Sequence, residues 1–402
     1  MSKFAGFQDV PVITLDELTQ LGDIELGRGN IISKIDIREN SGSYPIYSSS
    51  SKNNGMMGRY GKFMFDEEMV TWSVDGGGKF FYRPRHKFSV TNVSGYMRAN
   101  QEKFAYKFLH GVLDFQHSFL NFDYQSKAHP SVIRELYEVP IPPLPEQKKI
   151  AAILTSVDEV IETTQKQIDK LQDLKKANMN ELLTKGIGHT EFKDSELGRI
   201  PKSWEVKTLS DVVNPKRPIT YGIVQAGPHV EGGIPYIRVS DMNADNLHPK
   251  NMLRTSREIV AKFNRSTVTE GDIVYALRGN VGKVMRVPKV LSGANLTQGT
   301  ALISQSNRIE SDFLICAMQS ELVQKQTNDM AKGSTFVEMT LGNLKNIKLV
   351  LPPVSEQKNI ANILSSFSRR NSNLCQKLTQ TQSLKKSLMQ DLLTGKVRVK
   401  VD

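Results

Sequence analysis

Two triplets, Glu146-Gln147-Lys148 and Glu356-Gln357-Lys358, carry the acidic and basic side chains that end a common metal-dependent nuclease site. That chemistry needs a further acid on a neighbouring strand, so that paired carboxylates can hold Mg²⁺. No Pro-Asp precedes either triplet, and each opens a run with helical apolar spacing. A carboxylate there suits the positive end of a helix dipole, so helix-start chemistry is the stronger reading. Other reactive patterns also fail. GRYGKF and GNVGKV approach a phosphate loop but lack its G-x-x-x-x-G-K-[ST] spacing and hydroxyl. The seven histidines are scattered, with no H-x-x-x-H or Cys/His cluster. His110 and His117 share a helix face at most and read as satisfied surface histidines. Asn214-Pro215-Lys216 lacks the Asn-Pro-Pro-aromatic order that holds a flipped adenine. The chain reads as a binder without catalytic residues, without metal ligands and without a cofactor of its own.

Composition says what it binds. The 402 residues carry a formal net charge of +11, with 39% hydrophobic and 24% charged residues. That suits two or three folded domains whose basic surfaces meet a polyanion. No apolar run reaches the ~18 residues of a membrane span, and MSKFAGFQDVPVITL has no signal-peptide pattern. Cys316 and Cys375 are far apart and read as free thiols in a reducing cytoplasm.

The elements that must position such a binding face are written twice. PPLPEQKKIAAILTS starts at Pro142 and PPVSEQKNIANILSS at Pro352, an offset of 210 that holds without a gap to Thr184 and Thr394, with 18 of 43 aligned residues identical. Weaker echoes lie upstream in the same order: GSYP and GGIP, VTWSVDGGGK and VYALRGNVGK, TLDEL and TLSDV. The chain therefore reads as segment 1–141 (domain), 142–186 (helix), 187–351 (domain) and 352–397 (helix). Each helix runs about 39 residues, entered at Pro145 or at Ser355 as N-cap, and stopped by Gly186 or Gly395. A heptad seam follows Ile150, Leu154, Val157, Ile161, Ile168, Leu171 and Leu182 in the first, and Ile360, Leu364, Phe367, Leu374, Leu378, Leu388 and Leu392 in the second. The expected fold class is α/β: two β-rich mixed α/β domains, pseudo-two-fold related and separated by two long antiparallel coiled-coil helices. The similar helices suggest one shared partner, and the dissimilar domains suggest different ones.

On these motifs the chain resembles the specificity subunits of type I restriction–modification systems. IPPLPEQKKIAAIL, LPPVSEQKNIANIL, the joining segment FKDSELGRIPKSWEVKTLSDVV, IPYIRVSDM, GDIVYALRGNVGKV and KGSTF carry the likeness over nearly the whole chain. The resemblance implies two target-recognition domains, each reading one half of a split double-stranded DNA site. It implies that the helices space these domains and dock two methyltransferase subunits, which use S-adenosylmethionine to methylate adenine N6. Motor-nuclease subunits using ATP and Mg²⁺ can join them. A stand-alone DNA-binding regulator and a Mg²⁺-dependent nuclease are the alternatives. No base-reading residue carries over from the family. On side-chain chemistry, with Arg and Lys suited to guanine or phosphate and Asn and Gln to adenine, the DNA-binding candidates in the first domain are Tyr47, Ser48, Lys52, Asn53, Trp72, Lys79, Asn92, Lys127 and His129. In the second they are Arg238, Ser240, Arg278, Lys283, Thr297, Gln298, Lys332, Ser334 and Thr335. Ala128-His129-Pro130 of the first domain is matched with Gly333-Ser334-Thr335 of the second. The unlike domains point to an asymmetric target.

Overall fold

The computed structural model describes residues 3–50, 52–75, 79–120, 122, 127–243, 247–331 and 337–401. It contains two compact units, Met1–Lys166 with Gln376–Asp402, and Gln167–Cys375. The division falls inside both long helices rather than at their ends. In each unit the first half of one helix packs with the last half of the other, so neither helix belongs to one domain alone.

In the first unit, Val12–Thr14 (β1) leads into Leu15–Gln20 (α1). A capping box starts that helix: the Glu17 N–H donates to the Thr14 hydroxyl at 3.2 Å, and the Thr14 N–H donates back to the Glu17 carboxylate. Ile24–Arg28 (β2), Lys34–Glu39 (α2), Tyr44–Tyr47 (β3), Met56–Tyr60 (β4), Phe65–Ser73 (β5), Phe80–Val90 (β6) and Ser94–Ala99 (β7) follow. Then come Tyr106–His117 (α3), Pro130–Leu136 (α4) and Glu138–Pro140 (β8). Six strands form one sheet in the order β2-β7-β5-β6-β3-β4, while β8 pairs with β1. Every pairing in the large sheet is antiparallel except β3 with the end of β6, where Ile46 faces Ser89 and Tyr47 faces Val90. The core gathers Met69, Val70, Trp72, Phe80 and Phe88 from the sheet with Leu109 and Leu113 from α3.

After Leu144–Thr184 (α5), the second unit contains the hairpin Phe192–Ser195 (β9) and Gly198–Pro201 (β10). Next come Glu205–Thr208 (β11), Leu209–Val212 (α6), Thr220–Tyr221 (β12), Ile234–Ile237 (β13), Arg254–Thr255 (β14), Arg257–Lys262 (α7), Ile273–Ala276 (β15), Val284–Arg286 (β16), Asn295–Leu296 (β17) and Thr300–Ile303 (β18). Ser311–Gln319 (α8), Glu321–Met330 (α9), Leu341–Lys345 (α10), Lys348–Leu351 (β19) and Val354–Leu393 (α11) complete the chain.

The pairings repeat those of the first unit. β11 pairs with β19 as β1 does with β8, and β12-β18-β15-β16 repeats β2-β7-β5-β6. β13 lies antiparallel to β14 and parallel to β17, as β3 does to β4 and to β6. The segment Val287–Ala294 separates what is one continuous strand, β6, in the first domain into β16 and β17 in the second. Weak sequence echoes thus conceal a shared topology, because pairing order tolerates side-chain change as long as the buried faces stay apolar.

α5 and α11 have 41 and 40 residues, roughly 60 Å at the α-helical rise. Both stops are left-handed glycines, Gly186 (φ 69°) and Gly395 (φ 75°). The start differs from the expected one. Ser355 already lies within α11, and Pro353 takes the capping role, its carbonyl accepting from the Glu356 and Gln357 N–H groups. The Pro143 carbonyl does the same for Glu146 and Gln147. All fourteen apolar seam positions are buried or half-buried. In the first unit Ile150 and Leu154 pack with Leu392 and Leu393, and Lys385 pairs with Asp158 at 2.7 Å. Leu183, rather than Leu182, is the buried leucine at the end of α5, where it packs with Ile360 and Leu364 in the second unit.

The E-x-K triplets resolve into a duplicated clasp. Glu146 accepts from Arg398 Nε (2.8 Å), Arg398 Nη2 (2.7 Å) and the Val399 N–H (3.2 Å), groups that follow the end of α11. Glu356 accepts from the Ile187 N–H (3.1 Å), His189 Nε2 (2.8 Å) and Trp204 Nε1 (2.9 Å), groups that follow the end of α5. The next residue is equally regular. Gln147 donates to the Lys103 and Pro142 carbonyls and accepts from the Ala105 N–H. Gln357 donates to the Arg308 and Pro352 carbonyls and accepts from the Glu310 N–H. Lys148 and Lys358 point to solvent. Three protein donors occupy each carboxylate, and among the described residues no group of three acids, histidines or cysteines stands together to hold a metal, so these triplets serve as helix-end clasps.

Candidate nucleic-acid interface

In the first domain, hydrogen bonds draw the ends of β3, β5 and β6 and their loops together. The Thr91 N–H donates to the Tyr47 carbonyl, and the Thr91 hydroxyl donates to Ser48 Oγ at 3.0 Å. Ser49 Oγ lies 2.7 Å from Ser73 Oγ, and the Asp75 N–H donates to Ser49 Oγ at 3.1 Å. Lys127 pairs with Asp75 at 3.0 Å. Tyr47, Ser48, Asn92 and Lys127 therefore share one end of the sheet. Lys52 and Asn53 lie on the adjoining turn Lys52–Gly55, where Asn53 (φ 48°) and Asn54 (φ 51°) are both left-handed. Asparagine tolerates this conformation better than other side-chain-bearing residues. Lys79 is exposed, its ammonium 5.6 Å from the Phe81 ring centre. Lys52 and Lys79 have no carboxylate partner among the described residues.

One first-domain candidate has a different role. Trp72 is 1% exposed, and its indole N–H donates to the Ala128 carbonyl at 2.7 Å, so it is a core residue and not a DNA contact. Its strand is buried on both faces: Val70, Thr71, Trp72, Ser73 and Val74 are all covered, so alternation could not mark an outward side. His129 is exposed and caps α4, its Nδ1 accepting from the Ser131 N–H at 3.4 Å. The counterpart of that segment is Met339-Thr340-Leu341, not Gly333-Ser334-Thr335. The Ala128 N–H donates to the Val74 carbonyl as the Met339 N–H does to that of Leu277, and Thr340 caps α10 as His129 caps α4.

The second domain builds a similar rim from different side chains. The Thr297 N–H and the Thr300 hydroxyl donate to the Ile237 carbonyl, and the Gln298 N–H to that of Ile223. The Leu277 N–H donates to the Gly299 carbonyl. This places Arg238, Ser240, Arg278, Thr297 and Gln298 on neighbouring loops. Arg238 forks onto Asp241 (Nε 3.0 Å, Nη2 2.8 Å), a pairing that raises its already high pKa. Arg278 pairs with Glu338 at 2.8 Å. Both guanidiniums are thus oriented before any ligand arrives. Lys283 closes the same turn as Arg278, its carbonyl accepting from the Ala276 N–H as that of Lys79 does from the Ser73 N–H. It lines a groove of about 890 Å³ with Leu171, Lys175, Phe367 and Asn371 of the long helices. Lys332, Ser334 and Thr335 lie outside the described residues.

Sequence reasoning missed Arg83. Its guanidinium is buried at 1% exposure and lies 3.6 Å from the Tyr47 ring centre. It donates to Thr71 Oγ1 and to the Asn54 carbonyl, both at 2.9 Å. The signal present was Phe81-Tyr82-Arg83, which places Arg83 on the same strand face as Phe81. His110 was also misjudged. It is half-buried, its Nε2 3.3 Å from the Phe80 carbonyl, and burial holds its pKa below the usual histidine value.

With this geometry in place, the comparisons with known proteins agree. The family model described as Type I restriction modification DNA specificity domain matches residues 10–173 and 201–382. The MjaVIII specificity subunit of Methanocaldococcus jannaschii is 29% identical over 407 residues, covering 96% of this chain and 93% of its own. The EcoBI specificity subunit of Escherichia coli is 29% identical over 235 residues, 55% of this chain and 49% of that one. Among solved structures, the S subunit of a type I restriction–modification system from M. genitalium superposes with a TM-score of 0.59 at 16% identity, covering 96% of each chain.

Proposed function

The chain belongs to the family of type I restriction–modification specificity subunits, non-catalytic subunits that recognise DNA in complexes with other subunits, and from that premise we propose that its two domains each read one half of an asymmetric, bipartite double-stranded DNA target. The carrying observation is the duplicated strand topology with rims of unlike side chains: Tyr47, Ser48, Lys52, Asn53, Lys79, Asn92 and Lys127 on one, and Arg238, Ser240, Arg278, Thr297 and Gln298 on the other. One scaffold presenting two chemistries suits two different short sequences. α5 and α11 set the gap between the halves and dock two methyltransferase subunits. Those subunits supply S-adenosylmethionine and the adenine-N6 chemistry, and motor-nuclease subunits supply ATP- and Mg²⁺-dependent restriction.

Salt and co-purification test this together. The chain expressed with its methyltransferase is expected to purify as a complex with two methyltransferase copies. With Lys52, Lys79 and other cations meeting phosphates, binding to a specific duplex should weaken at least about tenfold between roughly 50 and 200 mM salt. A chain that binds specific DNA tightly and never retains a methyltransferase would favour the regulator reading instead.

A further inference from the structure

We propose that Arg83 is the positioning residue that presents the Lys52–Gly55 turn of the first recognition domain to its DNA half-site; this rests on the bipartite-recognition reading above. A buried arginine normally meets a carboxylate, because an uncompensated charge in a poorly solvated place is costly. Among the described residues none pairs with Arg83. The guanidinium is held by neutral groups instead. Tyr47 stacks on it at 3.6 Å and Phe81 at 4.8 Å, and Thr71 Oγ1 takes its Nε–H. Burial lowers its pKa to about 10, so it remains charged at neutral pH.

The remaining arm reaches the turn. Nη1 donates to the Asn54 carbonyl at 2.9 Å, and a Cβ added at Gly55 would stand 3.1 Å from Nη2. That turn contains Asn53 and Asn54, the only non-glycine residues in the left-handed region among those described. Two consecutive residues in a sparsely populated conformation persist where their surroundings over-determine them. Arg83 supplies that constraint from below, and the Ser48 N–H, donating to the Gly55 carbonyl at 2.8 Å, closes the turn from the strand side. Lys52 and Asn53, both exposed, are what the turn then shows to solvent. A fork that fixes one carbonyl and one hydroxyl at once cannot be replaced by the single point charge of lysine.

The test uses the full chain in complex with its methyltransferase, with methylated sites mapped across a genome for wild type, Arg83→Met, Arg83→Lys and Thr71→Val. Thr71→Val removes only the Nε acceptor and keeps the strand's shape. Wild type is expected to give two defined halves. In Arg83→Met one half should lose roughly tenfold of its discrimination, about one base contact, while the other half stays unchanged. Arg83→Lys and Thr71→Val should relax the same half to a smaller degree. A mere structural defect would lower methylation at all sites together and leave the motif intact, which would overturn the proposal. So would an unaltered motif in assembled Arg83→Met. If Arg83→Met fails to assemble, Thr71→Val decides: relaxation confined to one half supports the role, and an unchanged motif removes it. A wild-type motif that is not bipartite would instead overturn the recognition reading, and the proposal with it.

Discussion

Replacing Glu356 by alanine is expected to destabilise the second unit by about 3 kcal/mol, and replacing Glu146 to destabilise the first by about 2 kcal/mol. The difference follows from what each carboxylate leaves behind. Glu356 takes the indole N–H of Trp204, which is fully buried, as well as His189 and the Ile187 N–H. Without it the indole N–H of the buried Trp204 loses its acceptor. Arg398, the main partner of Glu146, has a 39% exposed side chain and can rehydrate. Glutamine at either position keeps an acceptor oxygen and should cost about half as much. Urea unfolding of each variant measures both values. The Glu146 contribution also depends on pH. Arg398 holds its carboxyl below the usual carboxylate range. The unfolded state therefore takes up protons first, so the contribution is present above about pH 4.5 and is lost as pH falls through the folded value. Glu146→Gln should remove that acid-side dependence.

A matched seven-residue insertion in both long helices, after Lys166 and after Cys375, is expected to lengthen the undefined gap of the DNA target. Both defined halves should stay as they are. Seven residues preserve the heptad seam and add about 10 Å of helix. That equals about three base-pair steps, but the duplex also turns by about 34° at each step, so a gap longer by about one to three base pairs is the expected result. An insertion in α5 alone shifts Ile168 and Leu171 out of register with the α11 seam and should abolish assembly. Methylation mapping reads both outcomes. A gap of unchanged length in the matched variant would remove the helices from the role of spacer.

The long helices were legible because their signal is periodic and duplicated: a seam spaced by threes and fours, bounded by prolines and glycines, needs no tertiary context. The strand order was not legible. Only the register of Ile46 with Ser89 and of Tyr236 with Asn295 reveals that the two domains share a parallel pair. The clasp was hidden for another reason. Glu146 and Arg398 lie 252 residues apart, and nothing local about E-Q-K announces a partner at that distance. Trp72 was not legible as a core residue because its strand is buried on both faces, which leaves no outward side for alternation to mark. Arg83 was not legible because it lies buried inside an aromatic strand and not in a polar loop.

The most direct measurement is the methylation map of a genome in cells expressing this chain with its methyltransferase. The expected result is one motif with two short defined parts, unlike in sequence and separated by an undefined gap of fixed length. A continuous motif, a palindrome with identical halves, or scattered methylation without a motif would contradict two dissimilar readers held apart by two matched helices.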